Sequence, residues 1–71
     1  MPPLKSSNLK SAEYDAEKRH LIVSFHSGKI YRFQKVPEFH FANLLKAHSA
    51  GKYFSSRIRG TFTAEDITGN A

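Results

Sequence analysis

The stretch LIVSFHSGKIYRF, residues 21–33, decides the fold because it contains two alternating segments around a glycine turn. In the first segment Leu21, Val23 and Phe25 share one face, which is the pattern of a half-buried strand. Residues 30–33 alternate again after the sequence HSG. These two segments predict a β-hairpin with one apolar face.

The loop length follows from the need to bring the two apolar faces together. A two-residue turn would place the apolar residues of the second segment on the opposite face. A three-residue loop with Gly28 in the left-handed conformation instead pairs Val23 with Tyr31 and Leu21 with Phe33. We therefore predict the three-residue loop. The outer face then carries Ile22, Ser24, Ile30, Arg32 and Gln34.

A weaker strand is predicted over residues 7–14, followed by a charged turn at 15–19, which gives a three-stranded antiparallel meander. Pro37 and Glu38 are typical of a helix start. The helix stripe that would cover the sheet consists of Phe41, Leu44, Leu45 and His48. The predicted class is α+β, with the meander covered by one amphipathic helix.

The segment SAGKYFSSRIRG, residues 49–60, resembles a phosphate loop but lacks the glycine spacing and the Lys-Ser/Thr pair that such a loop needs. We interpret it as a short second helix, capped by Ser49, with Gly51 allowing the two helices to approach closely. The side chains expected to close the end of the core are Tyr53, Phe54 and Ile58. The alternative is that this helix start and Lys52 hold one phosphate of a larger ligand.

The chain is short enough for one domain, which we place at residues 7–63. Residues 1–6 and 64–71 lack periodicity and are predicted to be flexible tails. Residues 61–63 are candidates for a final extended segment, and residues 63–66 have the spacing of a helix N-cap with too few residues after them.

Composition limits the classes of function. The formal net charge of +5 and a pI near 9.8 favour an acidic partner such as nucleic acid. With 13% aromatic residues, a stacking surface for unpaired bases is also an option. The absence of cysteine excludes disulfides and thiolate chemistry. Short apolar runs and the lack of signal-peptide features favour a soluble protein without a membrane partner.

The order of residues resembles the KTSC family, short domains found alone in bacteria and phages and at the C-terminus of some lysyl-tRNA synthetases. The resemblance implies a small α+β fold without a firmly assigned activity. Because small secreted domains usually carry disulfides and this chain has no cysteine, we expect it in the cytoplasm of a bacterium or of a phage host. Phe39 and His40 depart from the family pattern. The residues that carry the resemblance are Ser7, Tyr14, Asp15, residues 21–33, Val36, Pro37, Leu44, Leu45, Ala47, Ser49, Gly51, Tyr53, Phe54, Ile58 and Arg59.

Catalytic chemistry is not indicated. The four histidines have no metal-ligand spacing, the sequence contains no nucleophile elbow, and the acidic residues lie in predicted turns, a helix start and a tail. We therefore predict no enzyme activity, no metal and no cofactor.

The first functional hypothesis is a basic binding module for tRNA or another structured RNA. Its predicted phosphate contacts are Arg32, Lys52, Arg57 and Arg59, with Phe39 or Tyr53 as a stacking surface. The alternative is a protein-interaction module, such as a small phage-encoded regulator or inhibitor that binds host RNA polymerase or other host machinery. An exposed apolar group around Ile22, Ile30 and Phe39 would favour that alternative. The oligomeric state stays open, because the first strand is a potential pairing edge.

Overall fold

A computed structural model describes residues 3–69 of the chain. Its strands are Leu9–Asp15 (β1), His20–Phe25 (β2), Ile30–Phe33 (β3) and Ala64–Asp66 (β4). Its helices are Glu38–Lys46 (α1) and Ala50–Tyr53 (α2), and α2 continues into a π-helical turn, Phe54–Ile58. The predicted α+β class with an antiparallel sheet is confirmed.

The central hairpin has the predicted register. Val23 lies opposite Tyr31 and Leu21 opposite Phe33. Gly28 has a φ of 98°, a backbone conformation that residues with a side chain rarely adopt. The backbone N–H of Phe25 donates to the carbonyl oxygen of Lys29 at 2.8 Å and closes the three-residue loop. The apolar pattern and the glycine together were sufficient to define this turn.

Strand β1 contains a β-bulge that brings its apolar residues onto one face of the sheet. Leu9 and Ala12 are three positions apart, so a regular strand would direct them to opposite faces. The register shifts between Leu9 and Ser11, and both Leu9 and Ala12 are buried. The extra residue of the bulge therefore places both side chains in one core.

The sheet has four strands in the order β1-β2-β3-β4. The predicted meander had three, and the final extended segment that we placed at residues 61–63 is instead the strand Ala64–Asp66. Phe33 pairs with Ala64 and Tyr31 with Asp66. The three-residue strand β4 lies inside the segment that we predicted as a C-terminal tail. Its sequence has no strand pattern, and pairing with the edge of β3 defines it. The outermost tail residues, 1–2 and 70–71, lie outside the described residues.

Helix α1 begins after Pro37 as predicted, but its buried stripe is shorter than predicted. Leu44 is fully buried and the ring of Phe41 stacks on Tyr14 of β1 at 5.8 Å. Leu45 is 39% exposed, and His48 is exposed and lies beyond the end of the helix. Because the backbone becomes extended at Ala47, the periodic pattern does not continue to position 48.

The short helix α2 starts as predicted, and its glycine has a different role from the one predicted. The Ser49 hydroxyl accepts a hydrogen bond from the backbone N–H of Lys52. A Cβ atom at Gly51 would lie 2.9 Å from the Oγ of Ser6. Gly51 thus allows close approach of the N-terminal segment, where we had expected the other helix. The core consists of Leu9, Ala12, Leu21, Val23, Phe33, Val36, Leu44, Ala50, Phe54 and Ile58.

Candidate nucleic-acid interface

The π-helical turn separates two surface cavities. It contributes Phe54 to an aromatic cavity of about 360 Å³, and Ser55 and Ser56 to a polar groove of about 340 Å³. A π-helical turn widens the helix locally and is frequent at functional sites. The surface around the π-helical turn is therefore the candidate ligand site.

Aromatic rings form most of the first cavity. The rings of Phe25 and Tyr31 meet edge to face at 5.7 Å, and Phe54 meets Phe25 and Phe33 in the same way at 5.7 and 5.3 Å. Phe33 and Phe54 are buried, whereas Phe25 and Tyr31 are only half-buried. The complete lining, which we call the aromatic cavity, is Phe25, Tyr31, Phe33, Phe54, Arg59, Gly60, Phe62 and Ala64.

The second cavity is lined by hydroxyl groups and one lysine. The Oγ of Ser6 accepts hydrogen bonds from the backbone N–H groups of Asn8 at 3.1 Å and Leu9 at 3.0 Å. Ser49 accepts from the N–H of Lys52 at 3.4 Å. Each hydroxyl that accepts in this way still has its own proton to donate. The lining of this hydroxyl groove is Ser6, Ser7, Asn8, Ser49, Gly51, Lys52, Ser55 and Ser56.

A hydrogen-bonded group connects helix α1 to α2. The side-chain amide of Asn43 donates to the Tyr53 hydroxyl at 2.9 Å, and that hydroxyl lies 2.9 Å from Nδ1 of His40. Partial burial, together with the positive charge of Arg57, lowers the pKa of His40. A neutral His40 accepts at Nδ1 from the Tyr53 hydroxyl. Tyr53 is therefore occupied by bonds within the protein.

Arg32 has an internal partner on the outer face of the sheet. Its Nη2 lies 3.1 Å from a carboxylate oxygen of Glu65, and Gln34 donates to the same oxygen. These bonds lower the pKa of Glu65, with the hydrogen bond from Arg32 as the largest cause. The outer-face position predicted for Arg32 is correct, and the bond to Glu65 was not predicted.

The structure does not bring all the predicted contact residues into one patch. Lys52 lies in the hydroxyl groove, Arg59 lines the aromatic cavity, and Arg57 acts on His40. These three exposed cations belong to the segment from α2 to Gly60, whereas Arg32 lies on the outer face of the sheet. Within residues 3–69, none of the three has a carboxylate oxygen within 4.0 Å.

The two predicted stacking residues have different surroundings. Phe39 is 57% exposed, and its ring centre lies 4.3 Å from that of His40. Tyr53 is half-buried and bonded as described above. Phe39 belongs to the helical layer, whereas Ile22 and Ile30 are on the outer face of the sheet, so these three residues do not form the single apolar group considered above.

Sequence reasoning missed the aromatic cavity. We interpreted Phe25, Tyr31 and Phe33 as core residues, and the alternation of the hairpin cannot show that the core is open at one end. The cavity depends on Phe62, which lies far away in the sequence and is half-buried beside His40 at a ring distance of 5.4 Å. An available signal was the number of aromatic residues, which is large for so small a core.

Residues 3–69 contain no group of three or more His, Cys, Asp or Glu side chains arranged to hold a metal ion. No helix in the same range is long and apolar enough to cross a membrane.

The fold and the two cavities define a small α+β domain with a basic helical segment, and comparisons with known proteins identify its family. The family model of the KTSC domain matches residues 5–62. The chain therefore belongs to the KTSC domain family, as its residue order predicted. The crystal structure of a KTSC domain protein from Yersinia pestis superimposes with a TM-score of 0.88 at 33% identity, covering 93% of each chain.

Sequence relatives include both small proteins and one long enzyme. A protein of Stutzerimonas stutzeri is 44% identical over 52 residues, which cover 73% of each chain. A protein of Tsukamurella paurometabola is 33% identical and covers 90% of this chain and 96% of its own length. A lysine-tRNA ligase of Nostoc punctiforme is 31% identical over 64 residues, which cover 90% of this chain and 11% of the ligase.

Proposed function

We propose that this protein is a non-catalytic module that binds RNA, with tRNA or another structured RNA as its partner. The contacts to phosphate come from Lys52, Arg57 and Arg59. Arg32, which we also predicted as a contact, contributes less because its guanidinium already bonds Glu65. Such contacts give affinity that depends strongly on salt and little on base sequence.

The observation that carries this proposal is that three exposed cations, none with a carboxylate partner in the described part of the chain, lie close together in the sequence, within residues 52–59. An arginine or lysine that pairs with a carboxylate must give up that bond before it contacts a phosphate. Lys52, Arg57 and Arg59 need no such exchange. Lys52 belongs to α2, Arg57 to the π-helical turn, and Arg59 follows that turn directly.

Three further observations support an RNA partner. The hydroxyl groove surrounds Lys52 with serine side chains, and hydroxyls and lysine are common donors to phosphate oxygens. One relative is a lysine-tRNA ligase, in which a segment similar to this chain forms part of a much longer protein. The net charge of +5 agrees with a polyanionic partner.

The test is binding of fluorescein-labelled tRNA, followed by anisotropy over a series of salt concentrations. Changing Lys52, Arg57 and Arg59 together to Gln is expected to lower the slope of log K against log salt by about two to three, since each lost phosphate contact removes roughly 0.7–0.9. The charge-matched control changes Lys10, Lys18 and Lys29, three exposed lysines of the sheet and its turns, to Gln.

Both triple variants lower the net charge equally, so a nonspecific attraction would weaken equally in both. The proposal requires a clearly larger loss in the Lys52, Arg57 and Arg59 variant. Equal losses in the two variants, or no binding of tRNA by the unchanged protein, would rule it out. Thermal unfolding of each variant verifies that the fold is intact.

A second candidate function is a protein-interaction module, such as a regulator that occupies an acidic surface of host RNA polymerase or other host machinery. The observation that favours it is Phe39, a large apolar side chain that is 57% exposed on helix α1. Capture of partners from nuclease-treated bacterial lysate should then recover one dominant protein. Phe39→Ser should abolish the capture of that protein. If the Phe39→Ser variant still captured the same protein, Phe39 would not be part of the contact surface.

A further inference from the structure

The aromatic cavity has the chemistry of a site for a flat ring. The rings of Phe25, Phe33 and Phe54 meet edge to face and line the cavity together. Tyr31 and Phe62 complete the aromatic lining and are only half-buried. The volume of about 360 Å³ falls within the range of small-molecule sites, roughly 300–1,000 Å³.

The lining of the cavity is not entirely apolar. Arg59 contributes an exposed guanidinium that has no carboxylate oxygen within 4.0 Å among residues 3–69. Gly60 follows with a φ of 81°, and Ala64 also has a small side chain. The aromatic walls thus lie next to a cation that is free to bind an anion.

A nucleotide combines the two features that this site would recognise. Its base is flat and stacks on aromatic side chains, and its phosphate is an anion that a guanidinium binds through charge-assisted hydrogen bonds. A purely aliphatic ligand would leave Arg59 without a role. A free anion would bind Arg59 but would make no use of the aromatic walls. An unpaired base with its adjoining phosphate uses both.

We propose that the aromatic cavity binds an unpaired nucleobase of the RNA, and that Arg59 contacts the adjoining phosphate. This inference rests on the proposed RNA-binding function and names the class of RNA, which must carry unpaired residues in a loop, bulge or single strand. It also moves the stacking surface from Phe39 and Tyr53 to the rings around Tyr31 and Phe62. A base paired within an uninterrupted duplex cannot enter this cavity without leaving the stack.

The test compares two fluorescein-labelled RNA hairpins with the same stem. One has a loop of unpaired nucleotides, and the other has a loop of abasic nucleotides that keep the phosphates. The unchanged protein is expected to bind the first about tenfold more tightly, because stacking of one base contributes that much or more. Phe62→Leu should remove most of this difference and leave the affinity for the abasic hairpin unchanged.

Two further variants separate the cavity from other surfaces. Arg59→Gln should weaken the binding of both hairpins, since it removes a contact to phosphate. Phe39→Leu should change neither affinity, because Phe39 does not line the cavity. If Phe39→Leu rather than Phe62→Leu removes the preference for bases, the stacking surface is on helix α1 and the inference is wrong.

The result that would overturn the inference alone is equal binding of both hairpins by the unchanged protein, with normal salt dependence. In that case the RNA-binding function stands and the cavity is not its base site. Absence of binding to either hairpin and to tRNA would overturn both. Should Phe62→Leu unfold the protein, nuclear Overhauser effects between base protons and the Tyr31 ring in the unchanged complex decide the question, and their absence excludes the cavity.

Discussion

The hydroxyl of Tyr14 donates a hydrogen bond to the carbonyl oxygen of Val36 at 2.5 Å and joins the end of β1 to the segment that enters helix α1. The ring of Tyr14 also stacks on Phe41, with an interplanar angle of 16°. One side chain therefore connects the sheet to the first turns of the helix by a polar and an apolar contact.

Tyr14→Phe should isolate the polar contact, because the phenyl ring keeps the stack on Phe41. The loss of one hydrogen bond to the half-enclosed carbonyl of Val36 is expected to cost about 1 kcal/mol. For a domain of this size, thermal unfolding should then occur roughly 4–8 °C lower. Tyr31→Phe is the matched control, since no hydrogen bond from that hydroxyl is present among residues 3–69. An unchanged midpoint in Tyr14→Phe would show that the bond contributes nothing net.

Gly51→Ala tests the close approach of the N-terminal segment to helix α2. Intrinsic helix propensity alone predicts stabilisation by about 1 kcal/mol. The added Cβ, however, would lie 2.9 Å from the Oγ of Ser6, which already holds the N–H groups of Asn8 and Leu9. Because Ser6 cannot move without weakening both bonds, we expect a net destabilisation of about 1–3 kcal/mol.

A double-mutant cycle distinguishes this clash from other effects of the alanine. In a Ser6→Gly background the obstructing atoms are gone, and Gly51→Ala should become neutral or stabilising. Gly69→Ala serves as the control, because a Cβ there has no neighbour within 4 Å. Urea unfolding measures the four proteins of the cycle and the Gly69→Ala control. Equal destabilisation by Gly51→Ala in both backgrounds would contradict the proposed contact.

The outcome of sequence reasoning depended on whether the deciding contacts were local. The hairpin was predicted to the residue, because loop length, Gly28 and alternation are all encoded within residues 21–33. Strand β4 begins three residues later than the extended segment predicted at 61–63, because its residues have no strand propensity of their own and only the free edge of β3 makes them extended. Ser49 was identified as a cap from its position, whereas the neighbour of Gly51 lies in a distant segment.

In the candidate site, too, local features could be predicted and contacts between distant segments could not. Residue type and sequence position alone suggested Lys52, Arg57 and Arg59 as contacts to phosphate, and the structure adds that Lys52 and Arg59 line two different cavities. The sequence could not show that Glu65 would bond Arg32, because we had assigned that carboxylate to the C-terminal tail. The aromatic cavity could not be predicted either, because Phe62 and Ala64, which complete its lining, lie far from the hairpin in the sequence.

The ion pair between Arg32 and Glu65 predicts unequal effects of two charge-matched variants. Arg32→Gln and Arg59→Gln each remove one positive charge, but the Arg32 guanidinium is already bonded whereas Arg59 is free. Binding of labelled tRNA at low salt should fall several-fold more in Arg59→Gln. Stability should change little in Arg32→Gln, since this ion pair is exposed to solvent. Equal loss of tRNA affinity would show that Arg32 exchanges Glu65 for phosphate.

The last prediction concerns acid sensitivity and follows from His40. Burial and the charge of Arg57 lower its pKa in the folded protein below the ordinary value of 6.5, which it regains on unfolding. As the pH falls, the unfolded chain therefore takes up the proton first. The contribution of the neutral histidine to stability is complete above pH 6.5 and is lost as the pH falls from there through the folded pKa.

Urea unfolding of the unchanged protein and of His40→Gln, compared at about pH 7.5 and about pH 5, measures this contribution because the other titrating groups are common to both. The advantage of the unchanged protein should shrink at the lower pH. Arg57→Gln removes the second cause of the shift and leaves the burial of His40, so the loss should become smaller without disappearing. If the difference between the unchanged protein and His40→Gln is the same at both pH values, His40 does not titrate differently in the folded and unfolded states, and the bond between Nδ1 and the Tyr53 hydroxyl does not select its neutral form.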